Sequence, residues 1–426
     1  MKKTRILMIT AFFYPQNVIA TSRVGQWVKY WARDGHEVTV LTTKKYPFWA
    51  VDYNVDLPPN VRIIETGYLS RFIIKRLVKN KIPDIRHNGS ISILKKIKRV
   101  LTSLIDIDIH DFWPISALKA GEKILSDNDF DLIISSYSPA SSHIIASRLR
   151  KRFPKPIWIA DFRDLWAHNH IVSQSAISKY IRMVREKNIV RHADVLTTVS
   201  EPLADILKKS YPEKKVSVIE NGFDPDDYPD MGLTNKNFLA KNKTIITYTG
   251  MIYQGKQDPS LLLCAVNELI EENKIHASDI EIHFYGQSDK ILSDIVKKGE
   301  FNRYGMLSIH GVIPRTQSIE RQKNSDLLLL LGWNDPSAKG VLTGKIFEYI
   351  ASGVPILGIG ITNQSSVGQL IEQTRTGFSS MDKEEVKQVI LEVIRNKKVN
   401  FYKPDIEKIN LYRRDVQARR VLSVWQ

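Results

Sequence analysis

Apolar residues fall along this chain in short unbroken runs, separated by stretches in which they recur every three or four positions. That is the alternation of buried strands with amphipathic helices. The first unit is a strand at 6–12 and a helix carrying Val24, Trp27, Val28, Trp31 and Ala32 on one face. Gly35 ends that helix, and 38–41 is the next strand. Further strands are expected at 132–135, 157–160, 195–199 and 216–219, then in a second series at 245–249, 280–285, 307–309, 327–331 and 355–359. Parallel strands joined by helices give an α/β protein of two Rossmann-like domains. Pro225, Asp226, Asp227, Pro229, Asp230 and Gly232 cluster with asparagines in 221–243, which reads as the linker. The expected domains are 1–222, 223–405 and a terminal helical segment, 406–426, returning to the first domain.

Composition agrees. A chain of 426 residues with 43% hydrophobic and 25% charged residues has room for two such domains and excludes disordered or collagen-like classes. No apolar run reaches the ~20 residues a spanning helix needs. Lys2, Lys3 and Arg5 precede an apolar run that stops at Pro15, too short for a signal peptide, so the expected location is the cytoplasm. A single cysteine, Cys264, set among leucines, excludes an internal disulfide and reads as a core residue.

Charge changes the picture more. The net charge is +16, and 71–99 holds ten basic residues against Asp84 alone. Leu69, Phe72, Ile73 and Leu77, then Leu94, Ile97, Leu101 and Leu104, recur at helical spacing around it. Few aromatic or amide groups are interleaved, so an anionic membrane surface fits this segment better than nucleic acid, with Lys95, Lys96, Lys98 and Arg99 as membrane contacts. The alternative is a solvated face on helices that cover a core.

No Gly-x-Gly-x-x-Gly follows the first strand and no Walker loop occurs, which removes dinucleotide and P-loop chemistry. Asp106-Ile107-Asp108 has metal–diphosphate spacing but is read as chance, and no histidine pair supports zinc; no metal and no cofactor are expected. In the second half, Gly250 directly follows a strand and Lys256 stands six residues later. Gly286 and Gly311 follow later strands, where a ligand could approach backbone. Thr343 and Gly344 can open a helix whose free N–H groups face a diphosphate, with Lys345 adding charge and Glu348, one turn on, offering a carboxylate to sugar hydroxyls. The bland alternatives are turn glycines and an exposed polar helix face.

Gly250 with Lys256, the string from Lys345 to Pro355, Ser200-Glu201 after a strand, and Ile219-Glu220-Asn221-Gly222-Phe223-Asp224 together resemble the retaining GT-B glycosyltransferases of bacterial family 4. Ser138-Pro139 with His143, and the stretch from Ile157 through Asp161-Phe162-Arg163-Asp164 to Trp166, resemble its surface-polysaccharide subgroup. The resemblance runs from Tyr14 to Gly377. It implies a GT-B fold with two parallel sheets facing across a cleft, a nucleotide diphosphate sugar as donor, and a glycan or lipid-linked acceptor. It further implies a last helix that crosses back to the first domain, and a leaving phosphate that takes the acceptor proton. Three departures stand out: Met251 replaces an expected Arg or Asn, Gly340 replaces a donor-sugar glutamate, and the paired glycines of the first loop are absent from 14–20.

The resulting expectation is metal-independent sugar transfer with retention, at the inner face of the cell membrane. Lys256, Lys345 and the helix N-terminus stabilise the departing diphosphate and Glu348 positions the donor. Asp161, Arg163, Asp164, His143 and Arg23 are assigned to the acceptor or the donor sugar. An Asp161–Arg163 or Arg163–Asp164 ion pair that only holds a loop is the alternative for the first three. A nucleotide-sugar epimerase, and a silent binding protein docking through 71–99, remain as rival functions.

Overall fold

The computed structural model describes residues 3–45, 53, 55–67, 112–169, 176–229, 243–287, 289–333, 340, 342–396 and 399–425. The basic segment with Lys95, Lys96, Lys98 and Arg99, and the Asp106/Asp108 pair, lie outside them. The chain divides into two compact units, Met1–Ile219 with Ala418–Gln426, and Glu220–Gln417.

Unit 1 runs β1 (Arg5–Ile9), α1 (Ile19–Arg33), β2 (Glu37–Thr43), β3 (Val61–Thr66), α2 (Trp113–Asp127), β4 (Leu132–Tyr137), α3 (Ser141–Arg152), β5 (Ile157–Phe162), α4 (Ala176–Val190), β6 (Val195–Thr198), α5 (Glu201–Ser210) and β7 (Lys215–Val218). Its strands form one parallel sheet in the order β3-β2-β1-β4-β5-β6-β7. Alternate residues of the central strands feed opposite faces. Leu7, Ile9, Ile133 and Trp158 enter one core with Trp113; Ile6, Met8, Ile134 and Ile159 enter the other with Trp27 and Trp31.

Unit 2 runs β8 (Thr244–Thr249), α6 (Ser260–Glu271), β9 (Ile280–Tyr285), α7 (Asp289–Lys298), β10 (Leu307–Ile309), α8 (Arg315–Lys323), β11 (Leu327–Leu331), α9 (Gly344–Ser352), β12 (Ile356–Ile359), α10 (Ser366–Thr374), β13 (Gly377–Ser380), α11 (Lys383–Asn396), α12 (Ile406–Asn410) and the first turn of α13 (Arg414–Ser423), whose remainder belongs to unit 1. Its sheet is also parallel, in the order β10-β9-β8-β11-β12-β13. The all-leucine β11 is buried throughout, as a central strand covered on both faces must be.

Two strands escape the sequence pattern, β3 and β13, and both are sheet edges. One is half exposed and the other is Gly-Phe-Ser-Ser, so neither shows an apolar run. The unit boundary falls at 219/220 because Phe223 belongs with unit 2: its N–H donates to Tyr412 O (3.1 Å) and its carbonyl accepts from Arg414 N (2.9 Å). The terminal segment 406–426 divides at Ala418. Ile409 lies in the unit 2 core, whereas Ala418, Val421 and Leu422 pack with Trp27 and Trp31, and Trp31 Nε1 donates to Ala418 O at 2.7 Å.

Candidate active site

The C-terminal ends of the unit 2 strands are lined with backbone rather than side chains. Gly250 N donates to Tyr285 O (2.8 Å), and Gly286 N donates to Gly311 O (2.7 Å), so the three glycines sit on neighbouring strand ends β8, β9 and β10. A Cβ on Gly286 would lie 2.1 Å from Gly250 O, and both residues hold φ values, +140° and +117°, that side chains rarely adopt. Across β11 the pattern repeats, with a Cβ on Gly332 falling 2.0 Å from Gly360 O.

Helix α9 begins at this edge. Thr343 is its extended N-cap and makes no side-chain cap bond, while Gly353 closes the helix in the left-handed conformation. The helix is tied to β8 by the buried Tyr349, whose hydroxyl accepts from Thr249 N at 2.9 Å. That link sets Lys345 beside Gly250. Lys345 Nζ donates to Tyr248 Oη at 2.5 Å, lies 3.9 Å from the centre of that ring, and would be 2.9 Å from a Cβ on Gly250. A side chain at 250 would press on the amine and would have to adopt the +117° φ that glycine holds. Loss of water around Nζ pushes the Lys345 pKa down to about 7, against an opposing pull from Glu348.

Glu348, one turn into α9, is an ion-paired acid. Its Oε1 accepts from Arg315 Nη1 at 2.6 Å and its Oε2 from Gln322 Nε2 at 3.4 Å. Arg315 Nη2 also donates to Asp227 Oδ2 at 2.5 Å, making a carboxylate–guanidinium–carboxylate chain about a quarter exposed. Neither Arg315 nor Asp227 was singled out from sequence. One signal was available: an arginine in the first turn of a helix opposes the helix dipole, which implies a tertiary partner. Lys256 stands on the loop after Gly250 with Nζ 5.4 Å from the Trp333 ring centre, and Trp333 in turn packs on Tyr253 at 4.9 Å. A cavity of about 540 Å³ lies along β8 and β9 beside α8, lined by Thr247, His283, Tyr285, His310, Ile313 and Arg321 among others. The His310 ring stacks on Tyr285 at 4.4 Å.

The unit 1 residues divide differently. Asp161 and Arg23, expected at the acceptor or donor sugar, are wholly enclosed and bound to each other, Arg23 donating from Nη2 to Oδ1 at 2.8 Å and from Nε to Oδ2 at 3.1 Å. Ser136 and Thr197 hydroxyls donate to the same carboxylate, and Arg23 Nη2 reaches Ile219 O. Burial pushes the Asp161 carboxyl up, but the Arg23 charge and these hydrogen bonds outweigh it and hold the pKa below its ordinary value. His143 is enclosed in the same way. It is buried among Tyr137, Trp158 and Phe162, its Nδ1 is 2.8 Å from Ser135 Oγ, and burial pushes its pKa down to about 3. Arg163 and Asp164 do reach the surface, as an ion pair (3.3 Å), with Arg163 Nη2 also donating to Ser138 O. That is the pairing the loop-holding alternative described; the Asp161–Arg163 pair did not form because Arg23 occupies the carboxylate.

Two parallel-sheet Rossmann-like units, the second carrying a glycine-lined strand edge and a helix N-terminus above it, define the GT-B class of fold. The comparisons agree. Residues 20–227 match the family model described as Glycosyltransferase Family 4. Among curated proteins none matches the chain by sequence. Among solved structures, the chain is similar to sucrose-phosphate synthase from Thermosynechococcus elongatus, with a TM-score of 0.64 at 16% identity over 99% of this chain and 98% of that one. It is similar to the lipopolysaccharide outer core galactosyltransferase WaaB in its apo form, with a TM-score of 0.56 at 11% identity over 99% of each chain. A trehalose-6-phosphate structure from E. coli bound with UDP-2-fluoro glucose gives 0.61 at 12% identity, over 99% and 98%.

Proposed function

We propose that this protein is a family 4 glycosyltransferase, whose unit 2 binds a nucleoside diphosphate sugar and whose product is a glycosylated acceptor hydroxyl. The observation that carries this reading is the convergence of the Gly250 backbone, Lys345 Nζ and the N-terminus of α9 at one strand edge. Such a place suits a diphosphate: N–H groups and an amine face it, and no acidic side chain intervenes before Glu348 one turn on. The bond from the anomeric carbon to the β-phosphate oxygen breaks with its electron pair on the diphosphate, the acceptor oxygen bonds to that carbon, and the acceptor proton passes to the leaving phosphate. Fixed positive charge from Lys256, Lys345 and the helix N-terminus stabilises the departing group, so the reading expects turnover in EDTA. Gly286 and Gly311 admit the nucleotide beside Gly250, Thr343 and Gly344 offer backbone N–H groups, and Glu348 grips the donor ribose.

The match over residues 20–227 and the likeness to a lipopolysaccharide galactosyltransferase support a glycan acceptor in surface-polysaccharide synthesis, carried on a lipid. Retention at the anomeric carbon follows the family resemblance, and Arg163 with Asp164 is the unit 1 pair available to orient an acceptor. Titration calorimetry with uridine, guanosine and thymidine diphosphates tests the donor site, and nucleoside diphosphate release with and without added glycan acceptor tests transfer. Binding of none of the three nucleotides would overturn the reading. Turnover independent of acceptor would replace transfer by isomerisation.

A further inference from the structure

Helix α4 is inside out. It buries Ser178, Arg182, Glu186 and Val190, while Ile177, Tyr180, Ile181 and Val184 are exposed by 66, 68, 44 and 44%. Those four fall at i, i+3, i+4 and i+7, a continuous stripe, with exposed Met183 at its margin. The arrangement is built in from below. Glu186 Oε2 accepts from Ala167 N at 2.7 Å and Oε1 accepts from Tyr211 Oη at 2.6 Å, which fixes the helix's rotation and keeps the apolar stripe turned to solvent. Glu186 is also the only acid in the helix, so its exposed charges, Lys179, Arg185 and Lys187, are all positive. Just past its end, Arg150, Lys151, Arg191 and Lys214 crowd His192 closely enough to add to the effect of burial in lowering its pKa.

We infer that α4 is a membrane-docking face, its apolar stripe entering the headgroup boundary of an anionic lipid surface while the flanking lysines and arginines meet lipid phosphate. An exposed apolar row rimmed by charge of one sign is the chemistry such a surface takes. Charge selects this occupant. A second copy would set two basic rims against each other, and a neutral apolar partner would leave the rim unanswered. The inference stands on the helix and does not require the transferase reading.

The test is co-sedimentation of the full chain with vesicles of equal parts phosphatidylcholine and phosphatidylglycerol, beside vesicles of phosphatidylcholine alone. Wild type should partition onto the anionic vesicles and be released by salt. Ile177→Ser/Ile181→Ser/Val184→Ser should cut that partition about tenfold or more while leaving the melting temperature and nucleotide binding unchanged. Lys179→Glu/Arg185→Glu/Lys187→Glu should do the same, and it decides the matter if the serine variant melts early. Wild-type-like sedimentation of the folded variants, or no wild-type binding to anionic vesicles, overturns the inference. So does a wild-type dimer in analytical ultracentrifugation that the serine variant dissolves, since the stripe would then be covered by a second copy.

Discussion

Arg315 Nη1 donates to Glu348 Oε1 at 2.6 Å, joining the first turn of α8 to the middle of α9. The same guanidinium holds Asp227, so removing it leaves two carboxylates without their shared counter-charge. Arg315→Ala is expected to cost about 1–3 kcal/mol of stability and to weaken nucleoside diphosphate binding, because Glu348 loses its fixed rotamer. Glu348→Gln should weaken the same binding, and the double variant should be less than additive by about 0.5–2 kcal/mol. Additive losses in calorimetric titration would mean that Arg315 does not act through Glu348.

Lys345 gives a proton-linked prediction. With its pKa pushed down to about 7, the side chain is mostly neutral at about pH 8, while the unfolded chain would keep it charged up to about 10.4. An anionic diphosphate beside Nζ raises the pKa again, so binding must draw in a proton over that window. Calorimetry near pH 8 in two buffers of different ionisation enthalpy should report uptake of most of one proton, and affinity should fall as pH rises from about 7 to 10. Lys345→Met should abolish both effects. Equal proton uptake in the variant would place the linkage elsewhere.

Lys256 is partly exposed and lies over Trp333, so its removal should leave the fold intact. Lys256→Ala is expected to lower the transfer rate by about 2–4 kcal/mol of transition-state stabilisation, with an unchanged thermal melt. Full activity in this variant, followed as nucleoside diphosphate release, refutes its assignment to the leaving group.

Arg23 and Asp161 predict stability rather than catalysis. Arg23→Met leaves a buried carboxylate without its cation and should cost about 3–5 kcal/mol, read from denaturant unfolding. Because the folded Asp161 pKa is depressed, its contribution is present above the ordinary carboxylate range. It is lost as pH falls through the folded value, so the wild type should weaken in acid and the variant less steeply. A variant as stable as wild type would remove the pair from the core's account.

Much of this architecture is carried by short-range pattern. Central strands such as β1 and β11 are apolar on both faces and announce themselves, and the turn glycines at 250, 286 and 353 mark where strands and helices stop. The edge strands β3 and β13 did not, because an edge needs no double-sided burial. The string from Lys345 to Pro355 showed a lysine and an acid on one helix, and that much was local.

What tertiary structure alone decided is who meets whom. Arg23 on α1 finds Asp161 on β5 across 138 positions, because a helix packed on a parallel sheet meets strands that are distant in sequence. Gly250 proves to be the floor under Lys345, and Glu348 an ion-paired acid, through bonds spanning unit 2. In α4 the outcome even opposes the sequence pattern. Apolar periodicity alone would turn Ile177, Ile181 and Val184 inward, yet the helix buries Ser178, Arg182 and Glu186, and the Glu186 carboxylate accepts from Ala167 N and Tyr211 Oη, partners that the helix's own sequence does not contain.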